Sequence, residues 1–274
     1  MKLQFCGVRG STPAPGPEFV RVGGHTSCLA VAHDGEPWSL LLDAGTGIRR
    51  VTAALDGDPF LGALLLTHLH WDHVQGIPFF AAGDRDDARV RVVMPGQNGS
   101  SAADVLARAM SPPHFPIGPD GLKGDWSFES VEPGDFEVEG FAVVAFEVPH
   151  KGGRTFGYRV TARGASVAYI PDHCPAAETT VEIARACAGV DLLVHDAQFL
   201  EPERAVADEY GHATVDDALD LAARAEVGTL ALFHHAPART DDEVDAIGQA
   251  AADRGVEIIV AREQAVIELG GGSP

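Results

Sequence analysis

The chain has 274 residues, 45% of them hydrophobic, with 20 Lys and Arg against 40 Asp and Glu and a formal net charge of −20. That length and apolar content can bury a sizeable core in one domain spanning 1–274, while the charge repels polyanions and argues against bulk nucleic acid unless a metal cluster or basic patch reverses the local field. Cys6, Cys28, Cys174 and Cys187 form no C-x-x-C pair, which excludes a cysteine zinc site and a dense disulfide framework and fits reduced thiols.

The start of the chain alternates like a strand and lacks the apolar stretch of a signal peptide, and no run of about 18 apolar residues marks a membrane span, so a cytoplasmic, membrane-free chain is expected. Residues 3–7 read as a strand. Residues 10–17, dense in Pro and Gly, read as a loop that either lines a site or simply connects. Residues 27–33 and 38–43 read as paired strands around the turn Asp34-Gly35. Asp43 then precedes a helix starting near Ile48, which it can cap.

The apolar run 61–66 leads into Thr67-His68-Leu69-His70-Trp71-Asp72-His73. In extended chain, residues two apart share a face, so His68 and His70 can reach one ion at about 2.0–2.1 Å. Asp72 and His73 fall where the chain turns into 74–77, and adjacent residues there diverge, which suits a second ion. A polar loop whose histidines merely cap hydrogen bonds explains a lone His but not four ligating side chains in six positions. The pattern His-x-His-x-Asp-His after an apolar strand resembles the signature of the metallo-β-lactamase superfamily of metallohydrolases.

Residues 89–94 read as a strand and 101–110 as a helix. Pro112, Pro113, Pro116 and Pro119 forbid regular structure in 110–124, which carries His114 and Phe115 as a pocket wall, a lid or a bland connector. Strand 141–148 ends at His150. Strands 156–160 and 166–170 flank Arg163-Gly164, and the second ends at Asp172-His173. Helix 181–187 stops at Gly189, and the buried strand 192–194 delivers His195 and Asp196. His212 sits just before a helix capped by Thr214 and Asp217. Strand 229–233 runs into His234-His235, and Thr240 with Glu243 opens a helix through 252.

The resemblance covers 43–237 and implies an α/β, αββα four-layer sandwich with two mixed sheets flanked by helices. It implies one metal site of His68, His70 and His150, and a second of Asp72, His73 and His234. Asp172 would bridge them, and Asp43 would hold the second N–H of a ligating histidine. His234 matches the position directly after the strand and three before Pro237, leaving His235 a non-ligand; His173 points elsewhere. The implied cofactors are two divalent ions, zinc with manganese or iron as alternatives, and the implied chemistry is hydrolysis through a metal-bridging hydroxide.

Asp196 and His212 resemble the acid and histidine motifs of the phosphodiesterase branch, which includes tRNA 3′-processing endonucleases of the ribonuclease Z type; that branch usually carries Glu where Asp196 stands. The candidate catalytic residues are thus Asp72, Asp196 and His212, and the expected substrate is a small or cyclic anionic phosphodiester. An acyl hydrolase of lactonase, thioesterase or β-lactamase type, the tRNA nuclease itself, and a non-catalytic metal-stabilised binding protein are the alternatives. No basic, Gly-rich arm for gripping RNA is present, and the assembly state is open to a homodimer.

Overall fold

The computed structural model describes residues 1–176, 178–252 and 254–270. In chain order the strands are β1 (Lys2–Gly7), β2 (Cys28–Ala32), β3 (Leu40–Leu42), β4 (Leu61–Leu65), β5 (Arg89–Pro95), β6 (Asp125–Val131), β7 (Gly134–Val138), β8 (Phe141–Glu147), β9 (Phe156–Ala162), β10 (Ala165–Ile170), β11 (Leu192–Asp196), β12 (Thr229–Phe233), β13 (Glu257–Val260) and β14 (Val266–Glu268). The helices are α1 (Ile48–Ala54), α2 (Trp71–Val74), α3 (Ala102–Ala107), α4 (Thr180–Ala186), α5 (Arg204–Tyr210), α6 (Val215–Arg224) and α7 (Asp241–Ala251).

The strands form two mixed sheets of seven, in the orders β14-β1-β2-β3-β4-β5-β6 and β13-β12-β11-β10-β9-β8-β7. Both are built alike, with β3 through β6 parallel in the first and β10 through β13 parallel in the second, and antiparallel strands completing each. Strand β4 shows why the sheets are covered on both faces. Ala63 and Leu65 point into the core between the sheets, whereas Leu64 packs in the separate apolar layer with Ile48, Val51 and Leu106, on the side of α1 and α3. On the far side α4, α6 and α7 cover the second sheet, with Ile183, Leu219, Ala222 and Ala251 against Leu193, Leu230 and Leu232. A parallel strand buried on both faces needs a continuous apolar run rather than alternation, and 61–66 has one. The layers are therefore helix, sheet, sheet, helix.

Several elements differ from the sequence pattern. Strands β6 and β7 escape it because their residues are mostly half-buried or exposed and charged, and β13 and β14 because short edge strands carry too little periodicity. Helix α5, with Glu and Asp on an exposed face, was equally illegible. The buried strand read as 192–194 extends to Asp196, so His195 and Asp196 are strand residues rather than loop residues. Both expected capping boxes form, at Thr214 with Asp217 and at Thr240 with Glu243.

Candidate metal centre

In open sheets with parallel strands, functional groups gather beyond the carboxyl ends of the strands. Asp43 follows β3, His68 and His70 follow β4, Asp172 follows β10, Asp196 ends β11 and His234 follows β12. His150 lies in the connection from β8 to β9, and His212 between α5 and α6. All seven residues expected to hold metal converge. Ligand-capable atoms of His68, His70, His150 and Asp172 lie within 4.8 Å of one another, as do those of Asp72, His73 and His234.

Local structure divides them. His70 is the extended N-cap of α2, so His68 and His70 keep the shared face of extended chain, and the helical turn that begins at Trp71 swings Asp72 and His73 onto another side. Asp172 stands between the two groups. Its Oδ2 is 3.5 Å from His68 Nε2 and 3.3 Å from His150 Nε2, while its Oδ1 is 3.1 Å from His73 Nε2 and 3.0 Å from His234 Nε2. Asp72 Oδ2 is 3.2 Å from both His73 Nε2 and His234 Nε2.

Hydrogen bonds behind the histidines turn the right nitrogen forward. His150 Nδ1 donates to the Gly211 carbonyl at 2.6 Å, and Gly211 accepts that role as the left-handed cap of α5, φ 82°. His73 Nδ1 donates to Asp43 Oδ2 at 2.8 Å. Thr67 Oγ1 donates to Asp43 and thereby accepts from His68 Nδ1 at 3.1 Å. His68 and His150 are left with an Nε2 lone pair facing the centre, and His73 turns its Nε2 the same way. Asp43 also accepts from the Thr67 amide at 2.7 Å and from Tyr169 Oη at 3.1 Å. It orients His73 rather than capping α1, whose N-cap is Gly47.

His234 is held in a left-handed backbone conformation, φ 58°, which is costly for a residue with a Cβ and persists only when its surroundings enforce it. Here the Gly10 amide donates to His235 O at 3.0 Å and the His235 amide to Val8 O at 3.0 Å. Gly10 must lack a side chain, because a Cβ there would come within 2.5 Å of His234 Nδ1. His235 turns away, and its Nε2 donates to Ala261 O at 3.0 Å. His173 also turns away, donating through Nδ1 to His195 Nε2 at 2.9 Å.

Four buried carboxylates, Asp43, Asp72, Asp172 and Asp196, have only histidines as ion-pair partners among the described residues. Burial pushes His68, His70 and His150 below the ordinary histidine range, which keeps them neutral. His73 goes the other way: burial alone would lower it, but Asp172, Asp72 and Asp43 raise it well above that range. Against the cost of burial, histidine neighbours hold Asp72 and Asp172 well below the usual carboxylate range. Buried charge of this kind calls for cations. The donors fit that demand. His68 Nε2, His73 Nε2 and Asp172 Oδ1 are buried without a hydrogen-bond partner, and His150 Nε2 faces His70 Nδ1 at 3.2 Å, close to the roughly 3.3 Å between two nitrogens sharing one tetrahedral ion at 2.0–2.1 Å. Nitrogen and carboxylate donors without thiolates suit zinc, manganese or iron.

Beside the cluster, His212 Nδ1 donates to Asp196 Oδ2 at 3.0 Å. Asp196 also accepts the amides of His173 and Ala213 at 3.1 Å and of Gln198 at 3.0 Å. Burial would lower His212, but the Asp196 carboxylate outweighs it and raises the imidazole to about 9. A cleft of about 730 Å³ opens over the cluster, walled by Trp71, Phe199, Tyr210, His212 and Pro237, with Ser11 at its edge. The Ser11 amide donates to Asp72 Oδ2 at 2.7 Å, so loop 10–17 lines the site. Ser11, Thr67 and Tyr169 are functional neighbours that the sequence pattern did not single out. Thr67 stood inside the motif; Tyr169 looks like any inward-facing strand residue.

Residues 39–235 match the Beta-lactamase superfamily domain. A ribonuclease Z of Mycobacterium sp. (strain KMS) is 30% identical over 247 residues, covering 82% of this chain and 82% of that protein. Among solved structures, the metallo-β-lactamase fold protein YhfI from Bacillus subtilis superposes with a TM-score of 0.75 at 17% identity, covering 97% of this chain and 99% of that one. The short form of human tRNase Z does so with a TM-score of 0.70 at 20% identity, covering 98% and 99%. With the domain match spanning most of the sequence, the chain belongs to the metallo-β-lactamase superfamily of hydrolases, near its ribonuclease Z branch.

Proposed function

We propose that the protein is a dinuclear metal-dependent phosphodiesterase acting on a small or cyclic phosphodiester. The observation that carries this reading is the split carboxylate of Asp172, one oxygen toward each trio of ligands, beside a His212–Asp196 pair at the cleft. His68, His70 and His150 would hold one ion, Asp72, His73 and His234 the other, and Asp172 both. When bound, the ions supply an activated water and positive charge for phosphoryl oxygens.

The chain's own groups do the rest. Asp72, too weak a base to keep a proton, is suited to accepting a hydrogen bond from the attacking water and aiming it. His212, held by Asp196 at the cleft, would give a departing alkoxide its proton. The four free cysteines support placing the protein in the cytoplasm, and no helix among the described residues is long and apolar enough to cross a membrane.

The ribonuclease Z relative favours RNA as a second substrate reading, so nucleic acid is not excluded; the net charge of −20 weighs toward the small diester. Metal-loaded protein offered bis(p-nitrophenyl) phosphate, its monoester, a lactone, nitrocefin and a precursor tRNA tests the reading. Diester turnover above the monoester and acyl substrates is expected. Efficient acyl cleavage without diester cleavage would overturn it, and tRNA cleavage far above that of small diesters would select the second reading.

A further inference from the structure

Beside the reaction cleft lies a second cavity of about 650 Å³, and the two share Leu69 and Trp71 as walls. Its other walls include Phe79 just beyond α2, Arg108 after α3, and Met110, His114 and Phe115 from the proline-rich segment that follows. Phe79 and Phe115 meet edge to face, ring centroids 5.7 Å apart. Trp71 is 75% exposed and Phe79 59% exposed. Single exposed apolar residues are ordinary, but two exposed aromatic rings rimming one cavity beside a reactive centre mark a binding surface.

Trp71 is placed there by the motif itself. It sits between the cluster residues His70 and Asp72, on the first turn of α2, and points outward because its neighbours point inward. The walls of the reaction cleft, among the described residues, include no Lys or Arg. A substrate held by phosphates along a polyanionic backbone would need such cations. Here, beyond the reacting phosphate, the neighbouring cavity offers mainly aromatic and apolar surface, with Arg108 and His114 also among its walls.

We infer that this cavity is the subsite for a planar, aromatic ester group of the substrate, stacked on Trp71 and enclosed by Phe79, Met110 and Phe115 while its phosphate sits at the cluster. This rests on the phosphodiesterase reading and narrows the substrate class to aryl or nucleoside-like diesters with one negative charge. Phe115 thereby forms part of the subsite's wall.

Binding tests it without turnover. Diphenyl phosphate and dimethyl phosphate carry the same charge at the same centre, and their dissociation constants are measured by calorimetry on metal-loaded wild type, Trp71→Ala, Trp71→Phe and Phe115→Ala, with metal content determined for each. Wild type should prefer diphenyl phosphate by about tenfold or more, the effect of one lost base–aromatic stack. Trp71→Ala and Phe115→Ala should bring the ratio toward one, and Trp71→Phe should restore most of it. Because the readout is a ratio, a general loss from weakened metal binding cancels, and Phe115 is remote in sequence from every cluster residue. Equal affinities in wild type, or a preference that survives both alanine variants, would overturn the assignment. So would a dimer that Phe115→Ala dissociates, in sedimentation, without changing the ratio, since the patch would then belong to a second copy. Absence of diester turnover with the aryl preference intact would sink the phosphodiesterase reading and leave the subsite standing.

Discussion

Replacing His212 with Ala should slow an alkyl phosphodiester far more than bis(p-nitrophenyl) phosphate. His212 Nδ1 is committed to Asp196 at 3.0 Å, leaving Nε2 as the atom that can give a proton to the cleft. With the imidazole raised to about 9 by Asp196 against the effect of burial, about 99% of it is protonated at pH 7. The rings of His150 and His234 lie 5.1 Å and 5.2 Å from that of His212, and a net positive charge held by the cluster would act on it over a distance on the order of 5 Å. At an effective dielectric of about 20 that is worth about 3 kcal/mol, or roughly two pKa units downward. The group is then poised near neutrality, where a general acid works best, and contributes about 10²–10⁴-fold. An alkoxide needs that proton and p-nitrophenolate does not. The alkyl diester should therefore lose about 10³-fold in kcat, and the activated diester less than about tenfold. In wild type, alkyl diester turnover should also fall as pH rises through the His212 pKa, because the acid is present only below it; the activated diester should lack that limb. Steady-state rates, metal content and thermal melting of the variant decide the matter. Equal slowing of both substrates would refute the acid role, and lost metal or a lowered melting temperature would assign His212 to structure.

Metal-saturated protein should hold two equivalents; Asp72→Ala should reduce this toward one, whereas Asp172→Ala, which removes the carboxylate facing both trios, should lower affinity at both sites. Elemental analysis after dialysis checks this, and one equivalent unaffected by Asp72→Ala would defeat the two-ion arrangement. His234→Ala should cost activity by about 10²-fold or more and release metal, while His235→Ala, whose ring faces the Ala261 carbonyl, should chiefly lower the melting temperature; the reverse ranking in paired assays would show the wrong histidine in the cluster. Chelation should destabilise the fold, because ions that bind only the native state no longer offset the buried carboxylates. In the metal-free protein His73 is raised by three carboxylates, so its contribution is full below the ordinary histidine range and is lost as pH rises through the elevated value. Thermal melts of chelated protein across pH should show that decline, and a flat profile would contradict it.

Much of the centre was legible because its chemistry is local. His68, His70, Asp72 and His73 fall within six positions, and the change from extended chain to a helical turn at Trp71 is enough to split them between two sides. The apolar run before them marks a strand buried on both faces, and the capping residues before α6 and α7 mark helix starts. Other parts required the fold. Nothing near Asp43 distinguishes a helix cap from a buried acceptor until β3 and β4 pair in parallel and bring it to Thr67 and His73. Tyr169 reaches that same carboxylate only because the two sheets pack face to face. The His212–Asp196 contact spans 16 residues and depends on α5 returning the chain over the end of β11; α5 itself, with an acidic exposed face, leaves no apolar stripe to read. Trp71 and Phe115, 44 positions apart by their numbers, share a cavity only once α2 and the proline-rich segment are docked on one edge. Spacing along the chain determines which side chains can serve one ion, because the backbone fixes their directions over a few residues; which distant groups orient, charge or enclose that ion is decided by packing, because those contacts exist only after the sheets have closed.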